Sequence, residues 1–292
     1  MANSEIIGAG QDTAHRAPKI NTITCGDCLE VMQGIPDKSV DMILCDLPYG
    51  ATACKWDTPI SFELLWEQYK RIIKDNGAIV LFGSQPFTSA LVMSNPKMFK
   101  YEWIWDKVMT SSPSLAKRQP LRSHENILVF YNKQSLYNPQ YRTDIIKKPF
   151  GKMRGQDSAV SGYAGGAECA RGIGYPKDII IQPKQNNLNG GNLHSSQKPV
   201  ALFEYLIKTY TNDGDTVLDN CIGSGTTAIA CINTGRNYIG IEKEEKYCRI
   251  AEERIHALRS PAQNTMEICH TAPNSAMLQG LKPHAGGTGT SA

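Results

Sequence analysis

Val40-Asp41-Met42-Ile43-Leu44-Cys45-Asp46-Leu47-Pro48-Tyr49-Gly50 decides the fold class of this chain. Val40 to Cys45 is a short apolar run of the kind that makes a strand buried on both faces, as parallel sheets require. It stops abruptly in a carboxylate, a proline, an aromatic ring and a glycine. In an open α/β sheet, ligands sit beyond the carboxyl ends of the strands, which would point Asp46 and Tyr49 into a site. An acid and a flat ring on a proline-stiffened turn suit an exposed planar amine. The ring can stack on the ligand's face while the carboxylate accepts its N–H. A plain β-turn with a solvated Asp and a packed Tyr fits the same residues, and the tetrapeptide alone does not choose between the two.

The flanking chain alternates strands and helices. Asn21 to Thr24 reads as a strand, Cys28 to Met32 as a brief helix, and Ile35-Pro36-Asp37-Lys38 as a turn into the Val40 strand. Phe62, Leu65, Trp66, Tyr69, Ile72 and Ile73 share one helical face, and Asp75-Asn76-Gly77 ends that helix. Ala78 to Phe82 is the next strand, and Pro86 opens a helix reaching Ser94. Tyr101 to Trp105 and Asn126 to Tyr131 are two more strands. After residue 199 come helix Val200 to Tyr210, strand Thr216 to Asp219, helix Thr226 to Thr234, strand Tyr238 to Ile241 and helix Glu244 to Leu258. Such alternation predicts a doubly wound α/β fold, a mostly parallel sheet with helices on both faces.

Two kinds of segment depart from this rhythm. Residues 1–18 are polar and unpatterned, and residues 259–292 end in Gly, Thr, Ser and Ala, so a loose arm and a disordered tail are expected around a main domain over 19–258. Residues 136–192 accumulate Gly, Asn, Gln, Pro and basic side chains with Tyr137, Tyr141, Tyr163 and Tyr175 interleaved, the composition of an inserted recognition lobe. From Lys133 to Lys184 nine Lys/Arg face four acids, although the whole chain carries only +3. A local basic field suits a polyanionic partner, and Lys147, Lys148, Lys152 and Arg154 are its densest group.

Composition excludes several classes. The 41% hydrophobic and 20% charged fractions are those of an ordinary globular domain, and no stretch is apolar enough for a membrane span. Nine cysteines, an odd and scattered set, point to reduced thiols in the cytoplasm rather than a disulfide framework. Cys25 and Cys28 form a C-x-x-C but lack a second pair or a nearby His, so no metal is expected.

A second ligand-facing turn follows Val217-Leu218-Asp219. Gly223 and Gly225, in Gly223-Ser224-Gly225-Thr226-Thr227, would let a ligand lie against the backbone, and the helix start offers unpaired N–H groups. Glu242 closes the following strand, nineteen positions after Gly223, where an acid can accept from ribose hydroxyls. An adenosine-containing cofactor fits. No Lys-Ser/Thr follows the glycines, which excludes a P-loop, and a hydride-transfer enzyme would leave the Asp46 turn and the basic lobe without work.

Taken together, GDCLEVMQGIPDKSVDMILCDLPYG, HSSQKPVALFEYLI and VLDNCIGSGTTAIA, spread over about residues 21–258, resemble the β-class S-adenosylmethionine-dependent DNA amino-methyltransferases. The family opens its catalytic tetrapeptide D/N/S-P-P-Y; here it reads Asp46-Leu47-Pro48-Tyr49, with Leu47 in place of the first proline. The resemblance implies a Rossmann-like methyltransferase fold with permuted motif order. It assigns Asp46, the Leu47 carbonyl, Pro48 and Tyr49 to the target base. Asp219, Gly223, Ser224, Gly225 and Thr226 would sit around S-adenosylmethionine, Glu242 on its ribose, Asp27 on its adenine, and Ser196, Gln197 and Lys198 along its methionine side. The implied partner is double-stranded DNA, and enzymes that modify a base inside a duplex extrude it first. Asp at the head of the tetrapeptide goes most often with adenine N6 and Ser with cytosine N4. The rivals are an enzyme of the same chemistry acting on cytosine N4 or on RNA, and a catalytically silent DNA-binding module; a homodimer and a cognate restriction endonuclease stay open. Trp56-Asp57 could flank the base pocket or simply pack, and His124-Glu125, before an apolar strand, could pass for a catalytic pair, although loop-end surface is the commoner reading of such a dipeptide.

Overall fold

A computed structural model describes residues 17–50, 57–111, 113–142, 174–184 and 197–259. In chain order the elements are β1 (Thr22–Cys25), α1 (Cys28–Gln33), β2 (Val40–Cys45), α2 (Phe62–Ile72), β3 (Ile73–Gly83), α3 (Phe87–Ser94), β4 (Phe99–Ser111), β5 (Arg122–Phe130), β6 (Ile179–Ile181), α4 (Val200–Tyr210), β7 (Thr216–Asp219), α5 (Thr226–Asn233), β8 (Asn237–Glu242) and α6 (Glu245–Arg259). A short 3₁₀ turn, Pro113–Leu115, lies between β4 and β5.

Among the described residues eight strands form one sheet in the order β1-β8-β7-β2-β3-β5-β4-β6. β1, β8, β7, β2 and β3 run parallel, β5 is antiparallel to both β3 and β4, and β6 runs parallel to β4. From β2 the chain steps outward to β3, whereas from β7 it steps the other way to β8. The gap between β7 and β2 is therefore the topological switch point, where ligands bind in such sheets.

The period of two sorts the side chains to two cores. Met42 and Leu44 of β2, Ala78, Val80 and Phe82 of β3, and Ile127 and Val129 of β5 meet Leu202, Phe203, Leu206 and Ile207 of α4, Ala228 of α5 and Ile255 of α6. The alternate residues Ile43, Cys45, Ile79, Leu81, Leu128 and Phe130 meet Met32 of α1, Leu65, Trp66, Tyr69 and Ile72 of α2, and Leu91 of α3. Three helices thus cover each face, which is why the central strands read as unbroken apolar runs.

The expected boundaries move at three places. β3 begins at Ile73, because the pairing with β2 skips from Val40↔Ile73 to Met42↔Ala78 and loops residues 74–77 out as a bulge. β4 and β5 extend beyond the apolar cores that announced them, since a two-stranded ladder continues past the part that is buried. β6 lies inside the segment expected to be a lobe; its three isoleucines pair at the edge of β4, with Ile179 and Ile181 exposed. The beginning of that segment also lies on the domain body, where the Asn138 N–H donates to Thr209 O at 2.7 Å. Residues 143–173 and 185–192 of the expected lobe, residues 1–16 of the arm and residues 260–292 of the tail lie outside the described residues. No helix among the described residues is long and apolar enough to cross a membrane.

On α2 the neighbours Leu64 and Leu65 separate the two faces, Leu64 being 49% exposed and Leu65 fully buried. Leu65→Ala should cost roughly 2–5 kcal/mol by opening a cavity against Tyr69 and the sheet. Leu64→Ala should change stability by less than about 0.5 kcal/mol. Urea unfolding midpoints of the two variants check the helix register.

Candidate active site

β2 and β7 end side by side, and their register (Met42↔Val217, Ile43↔Leu218) brings Asp46 and Asp219 to the same end of the sheet. A cavity of about 540 Å³ opens there, lined by Asp46, Leu47, Pro48 and Tyr49 at one end and by Asp27, Gly223 and Glu242 at the other. Asp219, Ser224, Thr226, Gln197 and Lys198 line it between them. The size is that of a pocket for a drug-sized ligand.

At the Glu242 end, Asp27 caps α1 by accepting from the Leu29 N–H at 3.0 Å, with Lys243 Nζ at 3.2 Å from its other oxygen. Glu242 is 8% exposed, and its carboxylate is held by two backbone donors, Gly223 N at 2.9 Å and Glu244 N at 2.8 Å. Burial pushes its pKa up against those two donors. Each oxygen keeps a second lone pair for a hydroxyl donor. Three thiols build the wall between these groups and the sheet. Cys28 and Cys221 line the cavity, with the buried Cys45 against Cys221. Burial pushes the Cys45 thiol up to about 12, and contact with Cys221 together with burial pushes Cys28 up as well, so these thiols are neutral. Cys25 faces solvent instead of joining them, and among the described residues no group of three or more His, Cys, Asp or Glu could hold a metal.

The two glycines of the turn do different things. Gly223 has φ +53°, and a Cβ built on it would find nothing nearer than Cys221 O at 4.0 Å, so its open side belongs to the cavity. Gly225, at φ +83°, does not line the cavity; its Cβ would stand 2.9 Å from that of Ala251 on α6. Gly225 therefore serves the left-handed turn and the close approach of α6, and of the two glycines it is Gly223 that lines the cavity. Ser224 is held by Arg254, which donates to its carbonyl and, at 3.0 Å, to its hydroxyl; the hydroxyl in turn faces Gln197 Oε1 at 3.4 Å.

At the Asp46 end, the Tyr49 hydroxyl donates to Asp46 Oδ1 at 2.7 Å while its ring tilts over Phe87, 4.9 Å between centroids. Burial and the Asp46 charge hold the Tyr49 phenol well above its ordinary pKa. The Gly50 N–H donates to Asp57 Oδ1 at 2.8 Å, which closes the turn from behind. Next to Gln197, Lys198 faces the Asp46 turn. Its ammonium donates to Asp46 Oδ2, lies 3.3 Å from Glu125 Oε2, and rests 5.3 Å from the centre of the Phe82 ring. Burial alone would lower the Lys198 pKa, but the two carboxylates outweigh it and hold the ammonium charged.

Glu125 corrects the sequence reading. His124 is exposed as expected for a loop end, yet the Glu125 side chain is only 17% exposed and turns into the cavity, bridging Lys107 at 3.1 Å and Lys198. The available signal was the alternation of β5, which continues inward through this position, opposite Trp105 on β4. Trp56, Ser196, His194, Lys147, Lys148, Lys152 and Arg154 lie outside the described residues.

Asp219 ties the turn together, accepting from the Thr227 hydroxyl and from the Cys221 N–H at 3.1 Å. Burial raises its pKa to about 7 despite those donors. Because the folded value lies above the unfolded one, the protonated carboxyl favours the fold at low pH. That contribution is lost as pH rises from about 4 through 7. Unfolding measured at pH 5 and pH 7 should show wild type losing up to about 1.4 kcal/mol per pH unit relative to Asp219→Asn. Parallel pH profiles of the two proteins would contradict it.

With this geometry described, the relatives can be placed. The profile of the N6/N4 DNA methylase family matches residues 40–253. The type II methyltransferase M.HinfI of Haemophilus influenzae is 29% identical over 276 residues, covering 85% of this chain and 72% of that protein. A crystal structure of M1.HpyAVI in complex with SAM superposes with a TM-score of 0.56 at 26% identity, over 80% of this chain and 98% of the other. The cytosine-N4-specific PvuII DNA methyltransferase shares the fold, with a TM-score of 0.58 at 15% identity over 82% of this chain and 87% of that one. A match reaching from the first residue of β2 into α6, over a sheet whose two carboxylate-tipped strands open into one cavity, places the chain in the N6/N4 DNA methylase family.

Proposed function

We propose that this chain transfers a methyl group from S-adenosylmethionine to the N6 amine of an adenine extruded from double-stranded DNA. One observation carries the reading: the Asp46 turn and the Gly223/Glu242 turn, more than 170 residues apart in sequence, line a single cavity. The residues present fit the cofactor. Gly223 leaves room against the backbone, Glu242 keeps lone pairs for the ribose, Asp27 stands where the adenine would lie, and the neutral thiols give that pocket an apolar wall. When bound, S-adenosylmethionine supplies an electrophilic methyl group on a sulfonium.

This chain's residues supply position. An exocyclic amine is a poor nucleophile because its lone pair is delocalised into the ring. In this reading its two N–H groups donate to the Asp46 carboxylate and the Leu47 carbonyl, which favours a tetrahedral nitrogen and aims its lone pair. The effect is one of orientation more than of acid–base chemistry. Tyr49, fixed through its hydroxyl to Asp46, offers a ring face for stacking. Leu47 is 4% exposed and packs into the core on the α2 side, which holds its backbone in place of the family's first proline. The preference for adenine rests on Asp at the head of the tetrapeptide, since the family's cytosine-N4 enzymes most often begin theirs with Ser.

DNA methylated by the purified chain, digested to nucleosides and analysed by mass spectrometry, should contain N6-methyladenine. Asp46→Ala should abolish the product while calorimetry shows S-adenosylmethionine binding within about threefold of wild type. N4-methylcytosine alone would replace the base assignment, and no methylated base at all would favour the silent DNA-binding module.

The basic group of Lys147, Lys148, Lys152 and Arg154 is assigned to the DNA phosphates. Replacing all four by Ala should weaken DNA binding and flatten the log–log salt dependence by about 0.9 for each phosphate no longer neutralised. Fluorescence anisotropy over a salt series measures it, and an unchanged slope would remove these side chains from the interface.

A further inference from the structure

Glu125 has no part in the reading above, yet it is the second carboxylate on the lysine that holds Asp46. Its Oε1 is fixed by Lys107 Nζ at 3.1 Å. Its Oε2 is buried and accepts no hydrogen bond; Lys198 Nζ stands 3.3 Å away as an ion pair without hydrogen-bond geometry. Both oxygens of Asp46, by contrast, are engaged by protein donors, Oδ1 by the Tyr49 hydroxyl and Oδ2 by Lys198. Each Asp46 oxygen keeps a second lone pair, but an amine N–H presented to Oδ2 meets the positive charge of an ammonium already on that oxygen. That ammonium cannot retreat to water, because the Lys198 side chain is only 9% exposed. It can turn towards Glu125, whose Oε2 already lies 3.3 Å away as an ion pair, with the Phe82 ring face 5.3 Å from the ammonium.

We propose that Glu125 is a positioning residue that takes over the Lys198 ammonium when a target base enters, releasing Asp46 Oδ2 to accept the base's exocyclic N–H. The inference rests on the assignment of Asp46 to the base. Two lysines and two carboxylates make the group neutral in either arrangement, so the shift moves a charge by a short distance without creating or burying a new one. Lys107 keeps Glu125 from following the base, since it pins the opposite oxygen. Removing the Glu125 charge leaves Lys198 with Asp46 as its sole carboxylate partner among the described residues and strengthens the interaction that must loosen.

Tritium transfer from labelled S-adenosylmethionine to unmethylated phage DNA tests this, because phage DNA offers many sequences. Glu125→Gln keeps the shape and loses the charge, and kcat should fall roughly ten- to a hundredfold. Its S-adenosylmethionine affinity by calorimetry, its DNA affinity by anisotropy and its melting temperature should stay near wild type. Glu125→Asp keeps the charge and loses a methylene, and should retain clearly more activity than Gln. A Gln variant as fast as wild type, the reverse ranking of Gln and Asp, or a parallel loss of cofactor binding would each overturn the assignment. A wild-type chain that transfers no tritium would instead overturn the methyltransferase reading on which it rests.

Discussion

Asp41, at the foot of β2, governs how the two halves of the site meet. Its Oδ2 accepts from the Thr216 N–H at the start of β7 at 3.0 Å, and its Oδ1 accepts from Lys74 Nζ, beside β3, at 2.6 Å. One carboxylate thus ties the central strand to both neighbours at the end of the sheet opposite the cavity. Side-chain alternation has a period of two, so a slip of one residue between β2 and β7 would turn Met42 and Leu44 out of one core and into the other. Asp41 bonds to the backbone N–H of one neighbour and to a side chain beside the other, and so favours a single register. The placement of Asp46 beside the Asp219 turn, five residues up β2, follows from it.

The chemistry at the far end depends on how few groups are left to water. Asp219, Glu242, Lys198 and Gln197 are each under a tenth exposed, and every one has a named partner on a different element. Tyr69 extends this order into the α2 side, donating from its buried hydroxyl to Asn220 Oδ1 at 2.6 Å. Buried polar groups that are satisfied are stiff, and stiffness suits a reaction that consists mainly of holding an amine at the right angle. Lys198, shared between two carboxylates, is the place where this stiffness gives way to a choice between two partners.

Much of the architecture was legible from residue patterns. Val40–Cys45 and Thr216–Asp219 are short apolar runs bounded by turn residues and set between helical patterns, which marks them as buried strands, and the resemblance of the three motifs to a known family supplied the motif order. β6 was not legible, because Ile179–Ile181 has three residues and takes its strand character from pairing with β4 rather than from any period of its own. The roles of Gly225 and Glu125 were hidden for a related reason. A positive φ serves a ligand or a neighbouring helix equally well, and only the position of Ala251 tells them apart. A Glu at the start of an apolar strand is ordinarily solvated. Its burial follows from Lys107 on β4 and Lys198 before α4, two cations distant in sequence that no local spacing connects to it.

The strand order also dictates when the site can exist during synthesis. β1 leaves the ribosome early, yet its partner in the sheet is β8, more than two hundred residues later, and β2 waits almost as long for β7. Until then the nascent chain presents β2 as an edge, apolar on both faces, with its backbone donors and acceptors unpaired along one side. Loop closure over such distances is slow relative to the local pairing of β3, β4 and β5. The cavity closes only when the C-terminal strands arrive, so a truncated chain ending before β7 holds the Asp46 turn without the glycine turn that completes the cavity.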